Sequence, residues 1–399
     1  MLNDAAQLRW QWGATLAVGL GALVLQAILA RMLGPSAFGV FSLATTVAVL
    51  LYAVQGGGYR VLLLREGVRK TPGFPVKLDM FADANGHVLC TSVVLVVVCL
   101  IVGGASQSAL TIPVALALLA NAPRIVANLY SADMLSRGHL MAEAQWQMTS
   151  RLLPFVATAT VALLGGGPTS VLLMLFVSQA AVLGMLPGHS NPLRVRVGFA
   201  PLVVRASAAI ICIDLVTQLY VRQSMVVLYL LDVVPVDIGR YSLLMRLLDA
   251  YLMLLGPLSV LFHNQFRMAG LWADRTIKMA RDIMLGAFAL VAVAFAAHYL
   301  AGPDLLAFIF GEDYRGASNL VPWMLLGAVI MVPNLLLGQC IIAANQEWAY
   351  TGIALLVAMV NLVLTIYFVK QSGVVGAAMA MVLTEMALLV AFAWRVFLK

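Results

Sequence analysis

Twelve long apolar runs, separated by short polar segments, dominate this sequence. An α-helix rises 1.5 Å per residue, so about 20 apolar residues cross a hydrocarbon core of about 30 Å. The runs lie at 11–30, 40–58, 88–105, 109–128, 152–167, 168–187, 206–231, 241–262, 285–303, 320–342, 351–369 and 374–397. Their length and number predict an all-α integral membrane protein with about 12 transmembrane helices.

The charged residues agree with this fold class and orient the chain. Only 10% of the residues are charged, against about 25% in soluble domains. The net charge of +7 comes from basic residues between the apolar runs and not on one soluble face, so we expect no nucleic-acid partner. With the N-terminus in the cytoplasm, the outer segments hold few basic residues, namely Arg31, Arg240, Arg315 and Lys370. The positive-inside rule therefore predicts a multi-pass protein of the cytoplasmic (inner) membrane with both termini in the cytoplasm.

A segment of the first hairpin returns in the second half of the chain. Residues 35–43 read PSAFGVFSL and residues 235–243 read PVDIGRYSL, with identical Pro, Gly, Ser and Leu positions. Pro followed by Gly is common turn chemistry and can coincide by chance, but the flanking apolar runs also agree in number. The repeat predicts two parallel six-helix halves, 1–190 and 206–399, joined by a cytoplasmic linker at 191–205.

Several ionisable residues fall within the predicted spans, where a charge costs about 2.5–3.5 kcal/mol on insertion scales. The ionisable set comprises Arg124 in the fourth span, Asp214 and Arg222 in the seventh, Arg246 and Asp249 in the eighth, and Glu385 in the twelfth, and the neutral but polar Gln218 lies between Asp214 and Arg222 on the same helical face. One interpretation makes the arginines cationic stations for a phosphate-bearing ligand, because guanidinium stays charged and grips phosphate oxygens through a fixed fork of donors. The other makes them static interhelical ties, with Arg246 bound to Asp249 and Arg222 bound to Asp214 or a neighbour.

The motifs of common enzyme classes are absent from the sequence. There is no Walker, HExxH or GxSxG sequence and no paired Cys/His metal pattern. The first outer loop, LGPSAFG, has no carboxylate, unlike membrane glycosyltransferases that place an acidic motif there. We therefore expect a protein that is not an enzyme and that uses no cofactor or metal.

The segment from Ile28 to Glu66, ILARMLGPSAFGVFSLATTVAVLLYAVQGGGYRVLLLRE, closely resembles the first hairpin of Wzx-type polysaccharide flippases. These proteins belong to the multidrug/oligosaccharidyl-lipid/polysaccharide (MOP) exporter superfamily. Three further segments resemble the same family, namely Asp237 to Asp249, Phe310 to Gly327 and Ser372 to Glu385. The chain departs from the family at Ser224, close to a position where relatives often carry Asp.

The resemblance implies a V-shaped, MATE-like transporter with two six-helix lobes around a cationic cavity. Its cargo would be an undecaprenyl-pyrophosphate-linked oligosaccharide, the repeat unit of a polysaccharide, O-antigen or exopolysaccharide, moved across the membrane by alternating access. Expected partners are this lipid-linked glycan, membrane lipids, a coupling proton or sodium ion, and the polymerase and glycosyltransferases of the same glycan.

Combined with the residue pattern, the resemblance gives a set of candidate site residues. Candidates for the transport path are Arg246, Arg222, Arg124, Asp249, Asp214, Gln218 and Arg60, and Glu385 and Asp249 are candidates for the coupling ion. Arg60, at the predicted cytoplasmic mouth of the second span, would recruit the headgroup or serve topology alone. Two other functions stay open: a cation-coupled multidrug exporter of the same superfamily, and a membrane glycosyltransferase or polymerase.

Overall fold

The computed structural model describes residues 2–66, 80–185, 195–196 and 201–397. Its helices are α1 (Leu2–Leu50), α2 (Tyr52–Gly56), α3 (Tyr59–Glu66), α4 (Met80–Ala105), α5 (Thr111–Ser136), α6 (Leu140–Leu163), α7 (Pro168–Leu183), α8 (Pro201–Leu230), α9 (Pro235–Ala269), α10 (Asp274–Phe310), α11 (Val321–Ala343) and α12 (Glu347–Phe397). A 3₁₀ helix, Glu312–Leu320, joins α10 to α11. No strand occurs within these ranges, so the prediction of an all-α fold is confirmed.

Two of the longest helices are each divided by a glycine. Gly34 in α1 has φ 70° and ψ 166°, and Gly373 in α12 has φ 57° and ψ −135°. Positive φ is open to glycine and strained for other residues, so the helical path breaks at both points. Pro35 then starts the second half of α1, where its missing N–H costs nothing.

With these two divisions, and without the short α2 and α3, the described ranges hold twelve helices that overlap the twelve predicted spans. By length and composition alone, eight helical stretches among the described residues qualify as membrane-crossing, and α7 is a shorter apolar helix. The sequence divides the fifth and sixth runs between 167 and 168, and the structure ends α6 at Leu163 and begins α7 at Pro168.

The described residues form two compact units. The first lies within 1–33 and 40–215, and the second lies within 34–39 and 216–399. The predicted linker at 191–205 falls mostly on residues outside the described ranges, so the lobe limits of 1–190 and 206–399 stay predictions.

Buried polar groups join three helices in the first unit. Gln55 of α2 donates to Ser92 Oγ at 3.0 Å and to the Leu118 carbonyl at 3.1 Å. Asn121 of α5 donates to Gln55 Oε1 at 2.9 Å and to the Ala48 carbonyl at 2.7 Å. Within an apolar interior such bonds satisfy groups that would otherwise be stranded, so they fix α2 against α4 and α5.

The two copies of the repeated segment contact each other within the second unit. A Cβ placed on Gly39 would lie 3.0 Å from the Pro235 carbonyl oxygen and 3.2 Å from the Gly239 nitrogen. A Cβ placed on Gly239 would overlap the carbonyl of Pro35. Small residues let two backbones approach closely, so glycine at both matching positions allows the two copies of the repeated segment to pack against each other.

Candidate functional site

A cavity of about 330 Å³ lies in the first unit, bounded by α2, α3, α5, α6 and the first half of α8. Its polar lining residues are Tyr52, Arg60, Asn128, Ser131, Glu143, Gln147, Ser150, Arg151 and Asp214. In a helix bundle of such apolar composition, this concentration of polar and charged side chains marks a candidate binding site.

Arg151 is the centre of a short chain of polar contacts at this cavity. Its Nη2 donates to Asn128 Oδ1 at 2.6 Å, and the Asn128 amide donates in turn to the Tyr52 hydroxyl. The guanidinium of Arg124 lies over the Tyr52 ring, with Cζ 5.9 Å from the ring centroid. Arg124 and Asn128 are four residues apart on α5 and therefore share one face of that helix.

Positive charge is concentrated at this cavity by three arginines, namely Arg60, Arg124 and Arg151. The charges of Arg124 and Arg60 both act on Arg151. Among the described residues, none of the three forms an ion pair with a carboxylate. Like charges repel each other, so an anion entering here would relieve that repulsion.

Two carboxylates moderate this positive field. Glu143 is buried and accepts hydrogen bonds from Ser131 Oγ at 2.5 Å and Gln11 Nε2 at 3.2 Å. Asp214 is exposed at the cavity and is attracted by the charge of Arg60. The cavity can therefore bind an anionic group while also presenting acceptors to hydroxyl or amide donors of a ligand.

A second polar cluster lies in the second unit. Arg222 of α8 pairs with Asp249 of α9, with Nη2 and Oδ2 3.1 Å apart, and its Nε donates to Gln218 Oε1 at 2.9 Å. The side chains of Arg222 and Asp249 are 15% and 28% exposed, so the pair is mostly shielded. Arg246 is half-buried on α9, three residues before Asp249. This cluster ties α8 to α9.

Glu385 of α12 lies in a third polar site, also in the second unit. It is 3% exposed and accepts hydrogen bonds from Tyr220 of α8 and Asn334 of α11. Three helices thus meet at one buried carboxylate.

The structure brings some of the predicted site residues together and separates others. Arg60 and Asp214 line one cavity, and Arg124 reaches its edge through Tyr52. The remaining candidates belong to the second unit, namely Gln218, Arg222, Arg246, Asp249 and Glu385. Asp214 and Arg222 share α8, but the two units divide between residues 215 and 216.

Arg151 is a cavity residue that is not among the candidates named from the sequence. The predicted fifth span begins at 152, whereas α6 begins at Leu140 and places Arg151 in mid-helix. A signal was present in the sequence, since no Gly or Pro interrupts the chain between Gly138 and Pro154.

Comparisons with known proteins agree with this architecture. No family model and no curated protein matches the sequence. Among solved structures, the chain is similar to the lipid II flippase MurJ in an inward closed conformation, at 15% identity and a TM-score of 0.73, over 97% of this chain and 87% of that one.

Multidrug transporters of the MATE type are similar as well. The transporter DinF-BH matches at 13% identity and a TM-score of 0.63, over 98% of this chain and 95% of that one. An inward-facing MATE family transporter of the MOP superfamily matches at 12% identity and a TM-score of 0.58, over 96% and 93% of the two chains. The chain therefore has the multi-pass membrane fold shared by MurJ and MATE transporters.

Proposed function

We propose that this protein is a flippase that moves an undecaprenyl-pyrophosphate-linked oligosaccharide across the cytoplasmic membrane. The observation that carries the proposal is the cavity in which Arg60, Arg151 and the adjacent Arg124 concentrate positive charge without an ion pair among the described residues. The fold shared with the lipid II flippase MurJ supports transport of a lipid-linked cargo.

The chemistry of the cavity suits a pyrophosphate headgroup. Each guanidinium offers a planar fork of donors to two phosphate oxygens and keeps its charge when water leaves. Arg151 is already oriented by Asn128, so little side-chain freedom is lost when an anion binds. Glu143 and Asp214 lower the positive potential of the cavity and so weaken its affinity for an anion, which lets the headgroup leave again.

Arg222 and Arg246 would form a second station for the same headgroup. Arg222 is held by Asp249 and Gln218, so an arriving phosphate has to compete with Asp249 for it. Such competition links cargo binding to the contact between α8 and α9. Alternating access of two six-helix lobes would then expose the stations in turn, with the polyprenyl tail remaining in lipid.

The proposal includes a location and partners. The basic residues favour cytoplasmic termini in an inner membrane. The lipid-linked glycan would come from glycosyltransferases and pass to a polymerase, and Asp249 is a candidate for coupling to a proton or sodium ion.

The test is glycan export in a strain that lacks the native gene and carries single variants. Arg151→Ala and Arg60→Ala should each lower export at least tenfold at equal protein level, with lipid-linked glycan accumulating inside. Arg151→Lys should retain an intermediate rate, because it keeps the charge and loses the fork.

The control is Arg137→Ala, since Arg137 is a 64%-exposed residue paired with Asp133 on the same helix. It should export normally. Normal export by both cavity variants would rule out the cavity as the headgroup site.

A cation-coupled multidrug exporter is the second candidate. The two carboxylates of the cavity, Glu143 and Asp214, favour it, together with the likeness to MATE transporters. In that case the deletion strain should become sensitive to cationic drugs without accumulating lipid-linked glycan. Asp214→Asn should then abolish resistance, while Arg151→Ala should preserve it.

A further inference from the structure

Glu385 is a buried carboxylate without a cationic partner among the described residues. One of its oxygens accepts the Tyr220 hydroxyl, and the other accepts Asn334 Nδ2 at 2.7 Å. Asn334 also donates to the Glu385 backbone carbonyl at 2.9 Å, and Asn361 fixes the Tyr220 backbone by donating to its carbonyl at 2.9 Å. An ionised carboxylate in such a place is expensive unless its charge is compensated.

A second observation concerns the partner amide. Asn334 is 5% exposed, and its Oδ1 has no hydrogen-bond partner in the structure. A neutral carboxyl group would add one O–H donor to this cluster, after a rotation of the carboxyl or the amide. Asn334 Oδ1 could accept that O–H, so the cluster suits a protonated Glu385. If Glu385 is ionised, the same oxygen stays buried without a hydrogen bond, which costs free energy.

Within the described residues, no cationic side chain pairs with Glu385 in place of a proton. Tyr350 packs in the same apolar cluster as Tyr220, and α11 carries no charged residue. In the second unit, the elements that contact α12 carry these charged or histidine side chains: Arg222 of α8, Asp237, Arg240, Arg246, Asp249, His263 and Arg267 of α9, and Glu312, Asp313 and Arg315 of the 3₁₀ helix. None of these forms an ion pair with Glu385, and Arg222 and Arg315 are paired with Asp249 and Glu312.

We propose that Glu385, Tyr220 and Asn334 form a proton-binding site that couples the protonation state of α12 to its contacts with α8 and α11. The step is the binding of one proton from hydronium to a carboxylate oxygen, which leaves water and a neutral carboxyl. A sodium ion suits the site poorly, because an O–H and an N–H donor already point at the two carboxylate oxygens. The role in coupling rests on the proposed transport function, but proton binding itself can be measured without a substrate.

The experiment is infrared difference spectroscopy of the purified full-length protein in liposomes, titrated from about pH 4 to about pH 9. We expect the carbonyl band of a buried neutral carboxyl, sensitive to deuterium exchange, that disappears as pH rises. Glu385→Gln should remove the band. Glu347→Gln, in the first turn of the same helix, should leave it unchanged.

Tyr220→Phe gives a readout that does not depend on the folding of the Gln variant. The Tyr220 hydroxyl stabilises the ionised carboxylate by donating to it, so its loss should move the midpoint of the titration up by about one pH unit or more. Exchanging choline chloride for sodium chloride should not change the band. If sodium displaces the band, the site binds a metal ion and the proposal is overturned. The proposal is also overturned if the band is absent, or if neither Glu385→Gln nor Tyr220→Phe affects it.

Discussion

The contact between the two copies of the repeat gives a sharp prediction for Gly239→Ala. A methyl group at Gly239 would overlap the carbonyl oxygen, carbonyl carbon and Cα of Pro35. All three are backbone atoms, and proline fixes its own φ, so no side-chain rotation can relieve the overlap. The segment around Pro35 or the start of α9 has to move.

The magnitude follows from two opposing terms. Overpacking costs about 1–3 kcal/mol, and the rigid neighbour favours the upper end of that range. Replacing Gly by Ala inside a helix returns up to about 1 kcal/mol. We therefore expect a net loss of about 2 kcal/mol, which at roughly 2 °C per kcal/mol lowers the Tm by about 4 °C.

The matched control is Gly286→Ala in α10. A Cβ at Gly286 meets no atom within 4 Å, so this variant should gain only the helix term and be at least as stable as the parent. The measurement is the fraction of monodisperse protein that remains after heating in detergent, by size-exclusion chromatography. Equal melting of the parent and both variants would refute the close contact.

Three further predictions use the same melting assay. Arg222→Ala, Asp249→Ala and the double variant should give a coupling energy of about 1–3 kcal/mol, because the pair at 3.1 Å is largely shielded; additive losses would mean that the pair does not form. Gly34→Ala should cost about 1–3 kcal/mol, since φ 70° is strained for alanine; unchanged melting would contradict the kink. Gln55→Leu should cost about 1–3 kcal/mol, because one N–H of the Asn121 amide loses its acceptor while the other keeps its bond to the Ala48 carbonyl; a stable Leu variant would show that the hydrogen bond between Gln55 and Asn121 is dispensable.

The sequence was informative wherever a local pattern has a local consequence. Long apolar runs form helices in lipid because each helix satisfies its own backbone hydrogen bonds, so helices at the twelve apolar runs could be predicted from the length of the runs. Glycine and proline were informative because they act on the local backbone. Gly34 with Pro35, and Gly165 with Pro168, mark the points where the structure breaks or ends a helix.

Boundaries inside polar segments were harder to predict. The prediction began the fifth span at 152, because Glu143 and Arg151 interrupt the apolar run there. In the structure α6 starts at Leu140, since the cavity lets these charges lie inside the bundle. Hydropathy cannot anticipate a cavity, so it gives no reason to count Arg151 among the candidate site residues.

Tertiary packing also decides which charged side chains pair with each other. From helical spacing, Arg246 and Asp249 looked like one tie and Asp214, Gln218 and Arg222 like one face. The structure pairs Arg222 with Asp249 from the neighbouring helix and leaves Asp214 at a cavity in the first unit. Spacing along one helix defines a face, but only the packing of two helices decides which side chains reach each other.

By itself, then, the sequence determined the fold class, the apolar helices within the described ranges and the repeated Pro–Gly segment, because these depend on apolar length and on glycine and proline geometry. Only the tertiary structure decided that the two copies of the repeated segment pack against each other, and which distant residues meet. It set Gly39 against Gly239, placed Arg151 and Arg60 in the lining of one cavity, and enclosed Glu385 between Tyr220 and Asn334. These contacts join residues far apart in the chain, and no local pattern encodes the distance between them.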